Sequence, residues 1–325
     1  MKVPHRDIIA ENLRQAGFLR KNMVLSSNAF RWCNGVGDAL ENLVIDVYNR
    51  HIQITLYHPV WQEHLGFIAA FMEQLTPVDF MVVKGRFSAD GKLLSQAPLE
   101  ILRGKSENSQ CTVQEGNVFF VVDLLDTVNP GLFLDMRAQR LALAQRIKPG
   151  QSLLNLFSYT GSFSVHARLA GAQKVVNVDI SSKIHGRTQL NYATNGIEAQ
   201  KGEFFRGDAR QYLNWARRKG LKFDHIVLDP PTFSRSKKDI FRVQNALPEL
   251  MEQCLSVLNS KGSLLVATNC NALSSQDLSA LAQKTVKQLK LGKIKVQHFG
   301  QDQDFVGSGL HAASHLAGIV VHILS

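Results

Sequence analysis

The sequence predicts an α/β fold in which a mostly parallel sheet follows a smaller α+β domain. Two observations support this prediction. In the C-terminal two thirds, short apolar runs alternate with stretches of helical spacing, and the first four runs lead into polar or acidic residues. In the N-terminal third, two adjacent apolar runs precede one helical stretch and one further run. Strands that alternate with helices are typical of parallel sheets with crossover helices.

The N-terminal third predicts the order strand, strand, helix, strand. The apolar runs Leu43–Tyr48 and His51–Tyr57 flank the two-residue turn Asn49-Arg50, which is typical of a hairpin. Helical spacing from Gln62 to Gln74 and the apolar run Phe80–Lys84 follow.

The boundary between the two domains is expected near residue 110. Residues 91–115 are poor in periodicity and contain glycine, proline and serine, a composition typical of a connection. We therefore expect a small α+β domain at 1–110, which is a candidate for contacting RNA, and a second domain at 111–325.

The stretch Leu153–Ala167 predicts a strand, a tight loop and a helix N-terminus, where backbone N–H groups meet a polar ligand. Gly161 is the only glycine in this loop, so the fingerprint of dinucleotide-binding proteins is incomplete. This argues against a dehydrogenase.

Three further apolar runs end at Asp179, Asp208 and Asp229. Asp179, at the second strand end, can accept ribose hydroxyls, and Asp208 can accept an adenine amine. Each aspartate has the alternative interpretation of a helix N-cap. Because the carboxyl ends of parallel strands lie along one edge of a sheet, the three together favour a cofactor cleft.

The segment Asp229-Pro230-Pro231-Thr232-Phe233 predicts a site for a planar, amine-bearing group. Proline fixes φ and has no N–H group, so carbonyl and carboxylate oxygens are presented as rigid acceptors. Phe233 offers a ring on which a base can stack, a contact worth about 1–3 kcal/mol. The alternative is a proline turn with Phe233 in the core.

The later chain predicts two helices and three strands. The elements are, in order, a helix over Gln244–Asn259 ending near Ser260–Gly262, a strand over Ser263–Thr268, a helix capped by Ser274-Ser275 and running to Leu289, and strands over Lys293–Phe299 and Ala317–Leu324. With the four earlier strands they make a sheet of seven.

Residues 117–325 resemble the class I S-adenosylmethionine-dependent methyltransferases, and more narrowly the bacterial group that methylates bases of 23S ribosomal RNA. The motifs that carry the resemblance are Gly131–Arg137, Leu153–Gly161, Asp179-Ile180-Ser181, Asn191 with Asn195-Gly196, Asp208 and Asp229–Phe233. The resemblance implies a Rossmann-like seven-stranded fold and S-adenosylmethionine as the cofactor. Many members carry an additional N-terminal domain of the PUA type, which we do not expect here because the stretch before Ser26 is too short.

The resemblance also implies roles for individual residues. The residues expected to line the cofactor are Phe133, Asp135, Arg137, Phe157, Ser158, Tyr159, Thr160, Gly161, Asp179, Ile180, Asp208, Ala209 and Asp229. The residues expected at the reacting end are Asp229, Pro230, Phe233 and Cys270. Asn129-Pro130 departs from the usual pattern before the first of these motifs, where a polar residue is more common.

The choice of base atom depends on nucleophilic chemistry. Guanine N7 has an exposed lone pair and needs only positioning against the methyl donor. Cytosine C5 becomes nucleophilic only after a thiolate adds to C6, so an enzyme for that atom requires a cysteine. Cys270 follows the fifth strand, close to where the cytosine-C5 relatives carry their nucleophile, while Asn269 and Asn271 resemble an asparagine pair of the guanine-N7 relatives. We favour guanine N7 and keep cytosine C5 as the alternative.

The formal net charge of +10 indicates a polyanionic partner. Lysine and arginine number 12 against 11 acidic residues over 1–110, and 25 against 16 over 111–325, so the surplus lies in the catalytic half. Arg235, Lys237 and Lys238 follow Phe233 closely, and we expect them to bind RNA phosphates. The expected partner is 23S ribosomal RNA or a ribosomal precursor particle.

Composition excludes several other classes. The cysteines, Cys33, Cys111, Cys254 and Cys270, form no C-x-x-C pair, so we expect neither a zinc site nor a disulfide framework. No apolar run approaches the ~20 residues that span a bilayer, and the N-terminus has no secretory signal, so we expect a cytoplasmic protein. The remaining alternatives are a methyltransferase for a non-RNA acceptor and an RNA-binding module without cofactor.

Overall fold

The computed structural model describes residues 4–23, 26–88, 98–235, 240–307 and 315–324. The helices in these ranges are α1 (Arg6–Leu19), α2 (Leu65–Leu75), α3 (Arg137–Arg146), α4 (Ser162–Leu169), α5 (Ser182–Thr194), α6 (Ala209–Arg218), α7 (Val243–Ser256) and α8 (Ser275–Leu289). The strands are β1 (Ala29–Asn34), β2 (Leu43–Tyr48), β3 (His51–Leu56), β4 (Phe80–Gly85), β5 (Leu99–Arg103), β6 (Gln110–Glu115), β7 (Val118–Asp123), β8 (Ser152–Leu156), β9 (Lys174–Asp179), β10 (Phe204–Arg206), β11 (Phe223–Leu228), β12 (Phe233–Arg235), β13 (Ile240–Arg242), β14 (Leu258–Thr268), β15 (Ile294–Phe299) and β16 (Ala317–Ile323).

The described residues form two compact units. The first lies within Met1–Arg137 and Asp302–Ser314, and the second within Ala138–Gln301 and His315–Ser325. The first unit continues past residue 110, where the sequence placed a boundary. The division into domains 1–110 and 111–325 stays a prediction.

The first unit contains a five-stranded sheet of order β1-β2-β3-β4-β5. The predicted hairpin is confirmed, because β2 and β3 pair antiparallel around Asn49, which adopts φ 58°. Strand β4 pairs parallel to β3 after the crossover helix α2. Helix α1 and strands β1 and β5 were not predicted: α1 buries only Ile9, Ala10, Leu13 and Ala16, and β5 is an edge strand without a buried face.

The second unit contains a seven-stranded sheet of order β10-β9-β8-β11-β14-β16-β15. The first five strands of this order pair parallel, and β16 and β15 pair antiparallel at one end. The order reverses at β8, whose neighbours are β9 on one side and β11 on the other. Open parallel sheets bind ligands at such a reversal point, outside the carboxyl ends of the strands.

One predicted boundary in the second unit is wrong. The helix expected over Gln244–Asn259 ends at Ser256, and the expected stop at Ser260–Gly262 lies inside β14. Lys261 adopts φ 62°, and the pairing of β14 with β11 becomes regular only from Ser263. The glycine and its polar neighbours therefore mark an irregularity within a strand. The capping box at Ser274 confirms the predicted start of α8.

His225 of β11 gives a stability prediction. Its ring nitrogens lie 2.8 Å from Ser263 Oγ and 3.0 Å from Gln151 Oε1, and burial lowers the pKa of the imidazole to about 4. Asp224 opposes this shift, while Arg146 and His322 add to it. The unfolded chain therefore binds a proton at His225 more tightly than the folded protein does. Neutral His225 contributes fully to the free energy of unfolding above about pH 6.5, and this contribution is lost as the pH falls towards 4.

We therefore expect His225→Gln to flatten the fall in the free energy of unfolding between about pH 6.5 and pH 4. Urea unfolding at several pH values measures this. His298→Gln, at an exposed histidine of β15, serves as the control and should leave the slope unchanged. Parallel pH profiles for wild type and His225→Gln would contradict the prediction.

No helix within the described ranges is long and apolar enough to cross a membrane.

Candidate cofactor and acceptor site

The three aspartates predicted from the strand ends lie at one edge of the seven-stranded sheet. Leu156 of β8 is in register with Val178 of β9 and with Leu228 of β11, and Asp179 is in register with Arg206 of β10. Asp179 therefore ends β9, while Asp208 and Asp229 follow directly after β10 and β11. Their roles towards a cofactor stay predictions.

The loop after β8 has an unusual backbone. Phe157, Tyr159 and Gly161 adopt φ 54°, 47° and 73°, in the left-handed region that non-glycine residues rarely occupy. Such conformations persist only when the surroundings enforce them, and they concentrate at ligand sites. Gly161 precedes α4 and leaves no room for a side chain, since a Cβ there would lie 2.2 Å from Thr188 Cγ2.

Helix α5 holds this loop in place. Thr188 Oγ1 donates to the Tyr159 carbonyl at 3.1 Å, and Asn191 Nδ2 donates to the Thr160 carbonyl at 2.9 Å. Asn191 is 1% exposed and Thr188 is fully buried, so water does not compete for either hydrogen bond. Sequence reasoning included Asn191 only through the resemblance and missed Thr188. Thr188 lies 29 residues along the chain from Tyr159, so its contact with the loop carries no local signal.

A buried polar chain connects the same strands and helices. Asn155 Nδ2 donates to Ser164 Oγ at 2.9 Å, Ser164 Oγ donates to Asn177 Oδ1 at 2.7 Å, and Asn177 Nδ2 donates to Tyr192 OH at 3.2 Å. Fully satisfied networks of this kind favour one arrangement of the groups they connect. These bonds fix α4 and α5 against β8 and β9, and thereby also fix the loop between β8 and α4.

Asp179 is oriented by the backbone of two loops. Its Oδ2 accepts from Tyr159 N at 3.2 Å and its Oδ1 accepts from Ser181 N at 3.0 Å. Each carboxylate oxygen retains a second lone pair, so the group can still accept two hydroxyls. Ile180, next in the chain, is 63% exposed and leaves an apolar surface beside the carboxylate.

Asp208 is the N-cap of α6, which confirms the alternative interpretation of this residue. Its carboxylate accepts from the backbone N–H groups of Arg210 and Gln211 and from the Arg210 side chain. Burial works to raise the pKa of Asp208, but the hydrogen bonds and charge of Arg210 lower it overall. The group is therefore a fixed anion, which is compatible with accepting an amine. Ala209, the first residue of α6, is buried.

The segment after β11 places an aromatic ring at the surface. Pro230 is buried, Asp229 is half-buried and Phe233 is 48% exposed, so Phe233 does not belong to the core. Phe233 begins β12, which pairs with β13 in a short hairpin. The Phe241 ring of that hairpin lies 5.8 Å from the Phe157 ring, which joins the hairpin to the loop after β8.

Cys270 is 6% exposed and packs in the main apolar core of the second unit. Its backbone N–H donates to Thr268 Oγ1 at 3.2 Å. The thiol thus has the surroundings of a structural cysteine, and inert buried cysteines are the common case.

Phe133, Asp135 and Arg137 lie in the first unit. The Arg137 guanidinium is 2% exposed and donates to Asp302, to Asp304 and to the Ala29 carbonyl at 3.1, 3.1 and 2.8 Å. Burial opposes its charge, but Asp304, Glu115 and Asp302 together outweigh burial and raise the pKa of Arg137. Asp135 is 8% exposed and Phe133 is partly buried. In the structure Arg137 anchors residues 302–304, and contact of the three residues with the cofactor stays a prediction.

The predicted phosphate-binding residues are only partly described. Arg235 ends β12, and its side chain, like the whole of Lys237 and Lys238, lies outside the described residues. No group of three metal-ligating side chains occurs among the residues that the structure describes.

Comparison with known proteins identifies the family. The sequence profile of the S-adenosylmethionine-dependent methyltransferases matches residues 30–292. The chain belongs to this family. S-adenosylmethionine is therefore its cofactor.

Individual relatives agree with this assignment. YwbD of Bacillus subtilis is 28% identical over 281 residues, which are 86% of this chain and 70% of YwbD. Ribosomal RNA large subunit methyltransferase K/L of Colwellia psychrerythraea is 32% identical over 286 residues, 82% of this chain but 38% of the relative. The crystal structure of SMU.776 complexed with SAH superposes with a TM-score of 0.84 at 24% identity, over 99% of this chain and 83% of that one, and supports the fold.

The residues at the sheet edge fit the cofactor of this family. Ser158 is 5% exposed, and its Oγ is buried without a hydrogen-bond partner among the described residues. A buried hydroxyl without a partner is costly, so a ligand group at this loop would satisfy it. The missing side chain at Gly161 and the fixed carboxylates of Asp179 and Asp208 are compatible with the predicted contacts to a nucleoside with a polar tail.

Proposed function

We propose that this methyltransferase acts on a base of large-subunit ribosomal RNA and that the acceptor atom is guanine N7. The observation that carries the proposal is the exposed Phe233 ring two residues after Pro231 of the Asp229-Pro230-Pro231 segment, at the sheet edge where the cofactor loop lies. A small-molecule acceptor has no need of an aromatic platform open to solvent, whereas an unstacked base does. The name of the Colwellia relative agrees with an RNA acceptor.

The chain's own residues supply positioning. The bound cofactor supplies an electrophilic methyl group on a sulfonium. We propose that Asp229 accepts hydrogen bonds from an amine on the base edge, and that Phe233 holds the base by stacking. Placing the reacting atom in line with the methyl group supplies most of the catalysis for a nucleophile that needs no base.

Guanine N7 is favoured by the surroundings of Cys270. A covalent mechanism at cytosine C5 requires a thiolate in contact with the base, and the Cys270 side chain is packed in the apolar core. The cytosine-C5 alternative rests on the position of Cys270 just after β14, at the same edge of the sheet.

Cys270→Ala separates the two chemistries. We expect kcat to stay within about threefold of wild type, because removing a buried thiol costs stability rather than chemistry. Cys254→Ala, which changes another buried thiol in the same core, is the matched control. Loss of activity in a folded Cys270→Ala protein, with Cys254→Ala active, would establish the cytosine-C5 mechanism instead.

The function itself is tested on RNA from cells that lack the gene. The purified protein should transfer a radiolabelled methyl group from S-adenosylmethionine to 23S RNA of those cells, and ribonuclease should destroy the product. Mass spectrometry of nuclease fragments then identifies the base. Transfer to protein or small molecules, with none to RNA, would refute the proposal.

A further inference from the structure

The hairpin of β12 and β13 presents an arginine beside the exposed aromatic ring. Phe233 and Arg242 are direct partners in the antiparallel register. The Arg242 guanidinium carbon lies 5.8 Å from the centroid of the Phe233 ring, and both residues are exposed. A cation and a stacking ring therefore share one face of the hairpin.

The opposite face of the hairpin is fixed to the core. Phe241 is 9% exposed and packs in the main core of the second unit, with its ring 5.8 Å from Phe157. Successive side chains of a strand point to opposite faces, so burying Phe241 directs Arg242 outward. Val243 N donates to the Thr232 carbonyl at 3.2 Å and closes the base of the hairpin. The orientation of Arg242 is thus determined by the fold.

Local structure gives no reason for an arginine at this position. Arg242 is the N-cap residue of α7, and its side chain makes no capping hydrogen bond. Serine, threonine, aspartate and asparagine are preferred there, and a cation is disfavoured by the positive end of the helix dipole. Among the described residues, no carboxylate forms an ion pair with Arg242, and its guanidinium lies beside the Phe233 ring.

We propose that Arg242 binds a backbone phosphate of the RNA strand whose base stacks on Phe233. The inference rests on the proposed function and adds a residue that the sequence did not single out. A base stacked on Phe233 brings its own phosphates close to the ring. The Arg242 guanidinium, 5.8 Å from the ring centroid, therefore lies beside the path of the RNA backbone. Arginine binds phosphate through paired N–H donors and also tolerates stacking on a ring.

The test is equilibrium binding of a fluorescent single-stranded RNA of mixed sequence to the full-length protein over a series of KCl concentrations. We expect Arg242→Gln to weaken binding about five- to tenfold at low salt and to reduce the slope of log affinity against log salt by about 0.7, the value for one phosphate on a single strand. Arg242→Lys should keep most of the slope. On 23S RNA, KM should rise in Arg242→Gln while kcat at saturating RNA stays within about twofold.

The matched control is Arg218→Gln. Arg218 is an exposed arginine at the end of α6, and this helix leads back to the edge of the sheet opposite the predicted site. Its RNA affinity and salt slope should match wild type, and titration with S-adenosylhomocysteine should give equal affinities for all variants. Wild-type affinity and slope in Arg242→Gln, or an equal loss in Arg218→Gln, would overturn the inference while leaving RNA methylation by the wild type intact. Failure of the wild type to methylate RNA would overturn the proposed function as well.

Discussion

Asp229→Ala is expected to lower kcat for RNA methylation by about 10²–10³-fold, the usual cost of removing one preorganised polar group from a reacting centre. Affinity for S-adenosylhomocysteine, measured by calorimetry, should change little, because the loop after β8 and Asp179 carry most of the proposed cofactor contacts. Asp229 directly follows the strand that neighbours β8, so its loss acts at the acceptor end.

Asp224→Ala is the matched control for this prediction, since Asp224 lies at the opposite end of the same strand. Its carboxylate accepts from Ser152 N and Ser152 Oγ, both at 2.8 Å, and from Asn259 Nδ2 at 2.8 Å. Losing these bonds should lower the melting temperature and leave kcat near wild type where the protein is folded. Wild-type turnover in Asp229→Ala would remove Asp229 from the acceptor site.

Gly161→Ala is expected to reduce kcat/KM for S-adenosylmethionine by about 100-fold, the scale of a small misplacement at a reactive site. The left-handed backbone at Gly161 costs a residue with a Cβ about 1–2 kcal/mol. In addition, the new methyl group would lie 2.2 Å from Thr188 Cγ2, so the loop or α5 must move. Thr188→Ser removes that carbon and keeps the hydroxyl, so the double variant should regain part of the loss.

Gly150→Ala separates backbone strain from the steric effect. Gly150 adopts φ 88°, yet a Cβ there would meet no atom within 4 Å. This variant should lose stability on the same scale of about 1–2 kcal/mol and retain wild-type affinity for the cofactor. If Gly150→Ala and Gly161→Ala lose cofactor affinity equally, the steric contact at Gly161 has no specific effect on cofactor binding. Calorimetric titration with S-adenosylhomocysteine measures both.

Most of the second unit could be predicted from the sequence because its signals are local. Each buried strand is a short apolar run, and the run at Phe223–Leu228 ends where the strand ends. The same logic failed for α1, whose buried stripe is narrow, and for Ser260–Gly262, where a turn signal marks an irregular stretch of β14 rather than a loop between elements. Local composition cannot distinguish these two cases.

The residues that hold the site were less accessible to sequence reasoning. Thr188 and Asn191 support the loop after β8 from a different helix, and Arg137 finds its carboxylates at Asp302 and Asp304, far along the chain. Such pairs leave no periodic signature, because their separation depends on the path of everything between them. Cys270 is the reverse case. Its position after a strand suggested a catalytic nucleophile, whereas its packing indicates a residue of the apolar core.

The amino-acid order alone determined the alternation of strands and helices, and with it the carboxyl edge at which Asp179, Asp208 and Asp229 meet. Parallel pairing makes that outcome unavoidable once the strands are known. Only the tertiary structure decided which side chains at the edge are exposed and which are enclosed: Phe233 and Arg242 face solvent, while Cys270 does not. Exposure depends on atoms brought together from distant parts of the chain, and no local pattern encodes it.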